Sequence, residues 1–299
     1  MLYCVAGSII LAHTIYGSEE NKISSFLLAI ILMLCGYLLI PIERYWCTLV
    51  ITSTVFTLTV LSILLLIRKL FNKLLLKVLL TRRKGNGKNI LHEIFRKLFH
   101  GVAFILLIPS SYLKPLYSIG VESLNFISPT PISIEDVAFL KDALILVIGG
   151  LVTTFLILEF LRIYLGFQIF SREILRGKEE RSLAAYLYTA VGFFFISIIF
   201  PEKIIIASIM ISLITDATAA IIGMKFGKTR ILKNRTLEGC LGGFIAGVLT
   251  GIIVLPIHIA VITVLIIEIV DAINVININD NLLFPIISAI SIWYMTSIF

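Results

Sequence analysis

The sequence predicts an all-α, polytopic integral membrane bundle of about ten transmembrane helices. Three observations predict it. Of its 299 residues 59% are hydrophobic and only 14% charged, whereas a soluble domain carries about 25% charged residues. The mean hydropathy of +1.06 is too high for a water-facing surface. Apolar runs approach the roughly 20 residues that cross a bilayer, and the basic residues lie between alternate runs. The net charge of +7 therefore bears on membrane orientation rather than on nucleic acid.

In order, the predicted spans are residues 2–16, 24–41, 47–67, 98–113, 142–165, 184–200, 203–223, 239–256, 257–270 and 283–298. The first and ninth are short, and the ninth also fits a re-entrant segment. Met1–Tyr16 has no basic n-region and no clear cleavage site, so it reads as a retained span rather than a signal peptide. One basic cluster runs from Arg68 to Lys97, a second holds Arg172, Arg176, Lys178 and Arg181, and a third holds Lys225, Lys228, Arg230, Lys233 and Arg235. With these spans all three fall on one side, which the positive-inside rule makes cytoplasmic, and both termini fall outside. Within residues 68–97 leucines and other apolar residues alternate with the charges, the pattern of a basic amphipathic helix lying on an anionic membrane surface, until Gly85-Asn86-Gly87 breaks it. Residues 1–67 read as appended helices and residues 68–299 as the functional membrane domain. Cys4, Cys35, Cys47 and Cys240 have no metal or redox spacing and read as packing residues. His13 and His258 are solitary and read the same way.

Four constellations bring ionisable residues to the cytoplasmic boundary. Glu93, Arg96, Lys97 and His100 are spaced i, i+3, i+4, i+7, one stripe of a helix. A snorkelling helix end would need fewer such groups. Glu159 and Arg162 are i, i+3 partners near the end of the fifth span, either a structural ion pair or part of a wet cavity. The third constellation is the most informative. Asp216 lies inside an apolar span, Gly223 and Gly227 follow, and Lys228, Lys233, Arg235, Thr236, Glu238 and Gly239 come next. An unpaired carboxylate in that span is costly, and a metal ion or a cationic partner removes the cost. Glycines for close approach, cations for phosphate and carboxylates for Mg²⁺ are the parts of a nucleoside-triphosphate site. Gly242, Gly243 and Gly247 are explained by helix packing alone. The fourth constellation is Glu268, Asp271, Asp280 and Asn281, followed by Pro285; Asp280-Asn281 also fits a plain turn.

The stretch 216–239 resembles the CTP-binding signature of the dolichol kinases and their relatives, and that of CTP-dependent phosphatidate cytidylyltransferases. Glu93-x-x-Arg96-Lys97-x-x-His100 resembles the amino-terminal motif of the kinase branch, which includes the phytol kinases and the CTP-dependent diacylglycerol kinase. Glu159-x-x-Arg162 and Asp280-Asn281-Leu-x-x-Pro285 are similar to that branch too. The resemblance covers roughly residues 90–298 and leaves residues 1–67 outside. The family's Lys before Thr-x-Glu-Gly is Arg235 here, and residues 172–181 fit only loosely.

The resemblance implies a CTP-dependent kinase that phosphorylates the hydroxyl of a membrane polyprenol of the dolichol type and releases CDP, with Mg²⁺ as cofactor. It implies a site on the cytoplasmic face of a cell membrane or endoplasmic reticulum, between aqueous CTP and the lipid alcohol. In that reading Asp216, Glu238 and Asp280 hold Mg²⁺, and Lys228, Lys233 and Arg235 grip phosphates. Gly223, Gly227 and Gly239 permit close approach, and Thr236 and Asn281 join the nucleotide site. His100 or Glu93 accepts the alcohol proton, with Arg96 and Lys97 neutralising the transferred group. A cytidylyltransferase is the nearest rival. A transporter would instead spread its ionisable residues through the membrane depth.

Overall fold

A computed structural model describes residues 2–16, 22–38, 139–166, 182–232, 235–273 and 279–298. The expected spans at 47–67 and 98–113, the amphipathic segment 68–97 and the division at residue 67 lie outside the described residues. Eight helices occupy the other eight predicted spans: α1 (Leu2–Tyr16), α2 (Lys22–Leu38), α3 (Phe139–Tyr164), α4 (Ala185–Ile199), α5 (Glu202–Phe226), α6 (Leu237–Gly251), α7 (Ile257–Ile273) and α8 (Asp280–Ile298). Between α5 and α6 lies a hairpin of two short antiparallel strands, β1 (Arg230–Leu232) and β2 (Arg235–Thr236).

Local chemistry sets the ends of these helices. Beyond α3, Leu165 N–H still donates to Leu161 O at 3.2 Å, and Gly166 then takes φ +68°, a left-handed step that costs glycine nothing. The eighth expected span is shorter than predicted. α6 stops at Gly251, and Val254 and Leu255 N–H both turn back onto Gly251 O. Pro256, which has no N–H to give, then precedes α7. The ninth span is a 17-residue helix.

α4 is the hub. It is buried along nearly its whole length, as a helix apolar on every face should be, and α2, α3 and α8 pack against it. Its contact with α8 depends on Gly192, where a Cβ would lie 3.1 Å from Leu282 O and 3.3 Å from Pro285 Cγ. Pro285 withholds a helical N–H inside α8, and the bare glycine lets α4 close on that stretch. On the far side α8 meets α5 and α7, and α6 lies against both of these.

α6 has two unlike faces. Gly239, Gly243, Gly247 and Gly251 recur every fourth residue and are buried, whereas Leu241, Ile245 and Leu249 form an exposed stripe. The glycine stripe receives α5 and α7 at backbone distance. A Cβ on Gly243 would stand 2.5 Å from Glu268 Oε1, 2.9 Å from Ala219 Cβ and 3.0 Å from Thr215 O. Gly243→Val should therefore lose about 1–3 kcal/mol through overpacking, whereas Leu241→Val on the opposite stripe should stay within about 0.5 kcal/mol. Thermal unfolding in detergent checks both.

Three helical stretches are long and apolar enough to cross a membrane by length and composition: Val147–Tyr164 in α3, Glu202–Phe226 and Asp280–Ile298. Exposed apolar stripes like that of α6 would be unfavourable in water and are stable against lipid. The chain is an integral membrane protein. Helix contacts show that the chain reverses between α1 and α2, between α5 and α6, and between α6 and α7. Cys4 lies against Gly36, Gly239 against Gly223, and Gly251 against Ala260.

Candidate functional site at one end of the bundle

The β1–β2 hairpin carries Arg235 over the ends of α7 and α8. Its Nη2 donates to Asp271 Oδ1 in a short contact and to Asp280 Oδ2 at 3.3 Å. The guanidinium is three-quarters buried, and Asp271 almost wholly so. Burial alone would disfavour the charge of Arg235, but the carboxylates of Asp271, Asp216 and Asp280 outweigh it and raise its pKa above the ordinary value. Asp216 approaches from α5. Glu268, one turn before Asp271 on α7, lies in the field of Asp271, Arg235 and Asp216 and beside the Cys240 thiol. Both carboxyl oxygens of Glu268 are buried without an N–H or O–H donor among the described residues. Four carboxyl groups thus lie in the field of one guanidinium.

The start of α6 is closed from within. Thr236 is its N-cap, and Thr236 Oγ1 accepts from Gly239 N at 3.2 Å, satisfying one of the unpaired amides of a first turn. Glu238 turns back over the hairpin approach and accepts from Lys228 N at 3.1 Å and from Thr229 N at 3.1 Å. The hydrogen bond from its own amide, joined by those from Lys228 and Thr229, holds its carboxyl below the usual range. The three glycines of the signature approach protein backbone and Thr236. A Cβ on Gly239 would lie 2.9 Å from Ala219 O and 3.1 Å from Gly223 Cα. A Cβ on Gly227 would strike Gly223 O and lie 2.6 Å from Thr236 Cγ2. Lys228 leaves its side chain exposed beside this turn.

The first turn of α8 is capped by Asn279. Its Oδ1 accepts from Asn281 N at 3.1 Å and from Asn281 Nδ2 at 2.9 Å. Asn279 N–H in turn donates to Ser24 Oγ on α2 at 2.9 Å. Next to it, the buried Ser25 Oγ and Tyr188 Oη of α4 share a hydrogen bond of 2.8 Å. Farther along the same end, Glu159 is buried and fully engaged. It accepts from Arg162 Nε at 2.9 Å and Nη2 at 2.6 Å, from Ala184 N at 3.1 Å, and from Tyr186 Oη in a short bond. Arg162 Nη2 also donates to Ser182 O at 2.6 Å. A polar layer therefore crosses one end of an otherwise apolar bundle, from Glu159 through Tyr188, Ser25, Ser24 and Asn279 to Arg235.

Of the residues the sequence singled out, Asp216, Arg235 and Asp280 meet in one cluster. Thr236, Glu238, Gly223, Gly227 and Gly239 form the turn beside it, and Asn281 belongs to the α8 cap. Glu93, Arg96, Lys97, His100 and Lys233 lie outside the described residues. Among the described residues no three His, Cys, Asp or Glu side chains are grouped as a metal site. Sequence reasoning had Asp271 in view but not as the main partner of Arg235. It passed over Ser24, Ser25, Tyr186, Tyr188 and Asn279. The available signal was two adjacent serines opening an apolar run.

An apolar cavity of about 300 Å³ opens between α1, α3 and α4, lined by Val5, Ile9, Leu156, Phe160 and Leu187 among others, with Glu159 at its edge.

No protein-family model and no solved structure matches the chain. Two relatives do. The chain is 32% identical to CTP-dependent diacylglycerol kinase 1 of Schizosaccharomyces pombe over 77 residues, which make up 25% of the chain and 35% of that protein. It is 31% identical to an uncharacterized protein of Rickettsia prowazekii over 88 residues, 28% of the chain and 43% of that protein. The matches thus span less than half the length of either relative.

Proposed function

We propose that the chain is a CTP-dependent kinase of a membrane lipid alcohol. The observation that carries this reading is the meeting of Arg235 with Asp216, Asp271 and Asp280 at one end of a membrane bundle. The similarity to a CTP-dependent diacylglycerol kinase supports it. That relative makes diacylglycerol the first alcohol to test. The polyprenol expected from the sequence signature is the second, because neither matched protein is named for one.

In the proposed reaction the lipid hydroxyl attacks the γ-phosphorus of CTP. The bond to the β-phosphate oxygen breaks, CDP leaves, and the hydroxyl proton passes to a base, for which His100 and Glu93 are the candidates. Arg235, with Lys228 and Lys233, neutralises phosphate charge, and Arg96 and Lys97 do so at the transferred group. Phosphoryl transfer rests mainly on such positioning and charge stabilisation. Carboxylate oxygens are hard donors of the kind Mg²⁺ takes, and both Glu268 oxygens are buried without an N–H or O–H donor among the described residues, although no three such side chains there are grouped as a metal site. Asp216, Asp280 and Glu268 would hold it; when bound, it neutralises charge on phosphate oxygens. Glu238, expected at the same ion, would first have to release the two N–H groups it accepts from. The apolar cavity beside Glu159 has the lining for a hydrocarbon chain. By the positive-inside rule the site faces the cytoplasm.

Asp216→Asn should lower phosphoryl transfer at least a hundredfold, about 2.7 kcal/mol, in a protein that still inserts and folds. The assay uses detergent-purified protein, Mg²⁺, γ-labelled CTP, diacylglycerol and a polyprenol panel. Label in a lipid identifies the kinase and its substrate. Label released as pyrophosphate identifies a cytidylyltransferase, and absence of CTP binding by folded wild-type protein favours a transporter. Full activity in Asp216→Asn would remove Asp216 from the mechanism.

A further inference from the structure

We infer that Ser24, on the amino-terminal helix outside the signature-bearing region, is a positioning residue for the nucleotide site. It acts through Asn279 on Asp280. The inference rests on the CTP-binding reading above.

The geometry is a relay of three short steps. Ser24 sits in the first turn of α2 and is fully buried. Its Oγ accepts the N–H of Asn279 at 2.9 Å across 255 residues of sequence. Asn279 caps α8 through Oδ1, and its carbonyl accepts from Leu282 N at 3.0 Å and Leu283 N at 3.2 Å. Asp280 is the first residue of that helix, and its Oδ2 accepts from Arg235 at 3.3 Å. A cap is oriented by all of its bonds, and here one of them comes from another helix. Without Ser24 Oγ the Asn279 amide loses its acceptor at a part-buried position, where an unmet donor is unfavourable. The start of α8 can then shift away from Arg235.

The neighbouring serine supplies the control. Ser25 is equally buried, lies in the same turn of α2, and bonds to Tyr188 of α4 rather than to the α8 cap. A general loosening of α2 would follow from losing either hydroxyl, whereas a positioning role belongs to Ser24 alone.

The experiment measures equilibrium CTP binding and the separate KM and kcat of phosphoryl transfer in the full chain in detergent. Ser24→Ala should weaken CTP binding and raise the KM for CTP about fivefold, the loss of one hydrogen bond, with kcat within about twofold. Ser25→Ala should leave CTP affinity within about twofold of wild type while lowering thermal stability. Ser24→Thr, which keeps the hydroxyl, should restore binding. If it does not fold, Asn279→Ala, which breaks the same relay at its next step, should reproduce the fivefold loss. Unchanged CTP affinity in Ser24→Ala, or equal losses in the two alanine variants, would overturn the inference. Wild-type protein that binds no CTP would instead overturn the reading on which it rests.

Discussion

Arg235→Met is expected to cost both stability and nucleotide binding, and a second substitution should separate the two. Removing one partner of a buried ion pair typically costs about 3–5 kcal/mol, because the other charge is left desolvated and alone. Arg235 is 25% exposed, so the lower end of that range applies here. Its removal would leave Asp271, Asp216 and Asp280 facing one another at short range, and like charges so placed repel. The double variant Arg235→Met with Asp271→Leu removes the worst of that repulsion and replaces the buried pair with apolar volume. It should recover most of the lost stability. It should not recover CTP binding, because the guanidinium proposed to neutralise phosphate charge is still missing. Thermal unfolding and CTP titration of the four proteins of the cycle give both answers. Recovery of both by the double variant would make Arg235 purely structural; recovery of neither would place the defect in the hairpin fold.

The helices were legible because lipid imposes one rule. Backbone polar groups must be satisfied within the segment, so the long apolar runs among the described residues are helices. Asp216 and Arg235 were legible for the complementary reason, since a charge beside or within such a run demands a partner. The identity of the partner was not legible. Arg235 meets Asp271 across 36 residues and Ser24 meets Asn279 across 255, and no local periodicity encodes either meeting. The glycines also show where pattern runs out. Gly223, Gly227 and Gly239 do mark close approach, and among the described residues the approaching protein atoms include Ala219 O, Gly223 O and Thr236 Oγ1. Glu238 reads from the sequence as a second carboxylate for Mg²⁺ beside Asp216. In the structure its place in the first turn of α6 points it at the amides of Lys228 and Thr229.

The same physics makes Glu159 the other position of large effect. Its carboxylate receives both arms of Arg162, the Tyr186 hydroxyl and the Ala184 amide, so all its oxygen lone pairs in reach are used. Arg162 fastens the last turn of α3 to Ser182 O, just before α4 begins. Glu159→Leu would take from a buried guanidinium the two-armed ion pair that it makes with Glu159, and should lower stability by about 3–5 kcal/mol. Glu159→Gln keeps the size of the side chain and one oxygen acceptor but not the charge, so it should lose an amount between wild type and leucine. The paired replacement of Glu159 and Arg162 by leucine should return much of the stability, since apolar pairs often substitute for buried ion pairs without loss. If the pair is only a clamp, that double variant will also return phosphoryl transfer. If Glu159 and Arg162 act at the lipid end of the site, where the apolar cavity reaches Glu159, the refolded double variant will bind CTP normally. It will then fail with the lipid, through a raised KM for the alcohol alone.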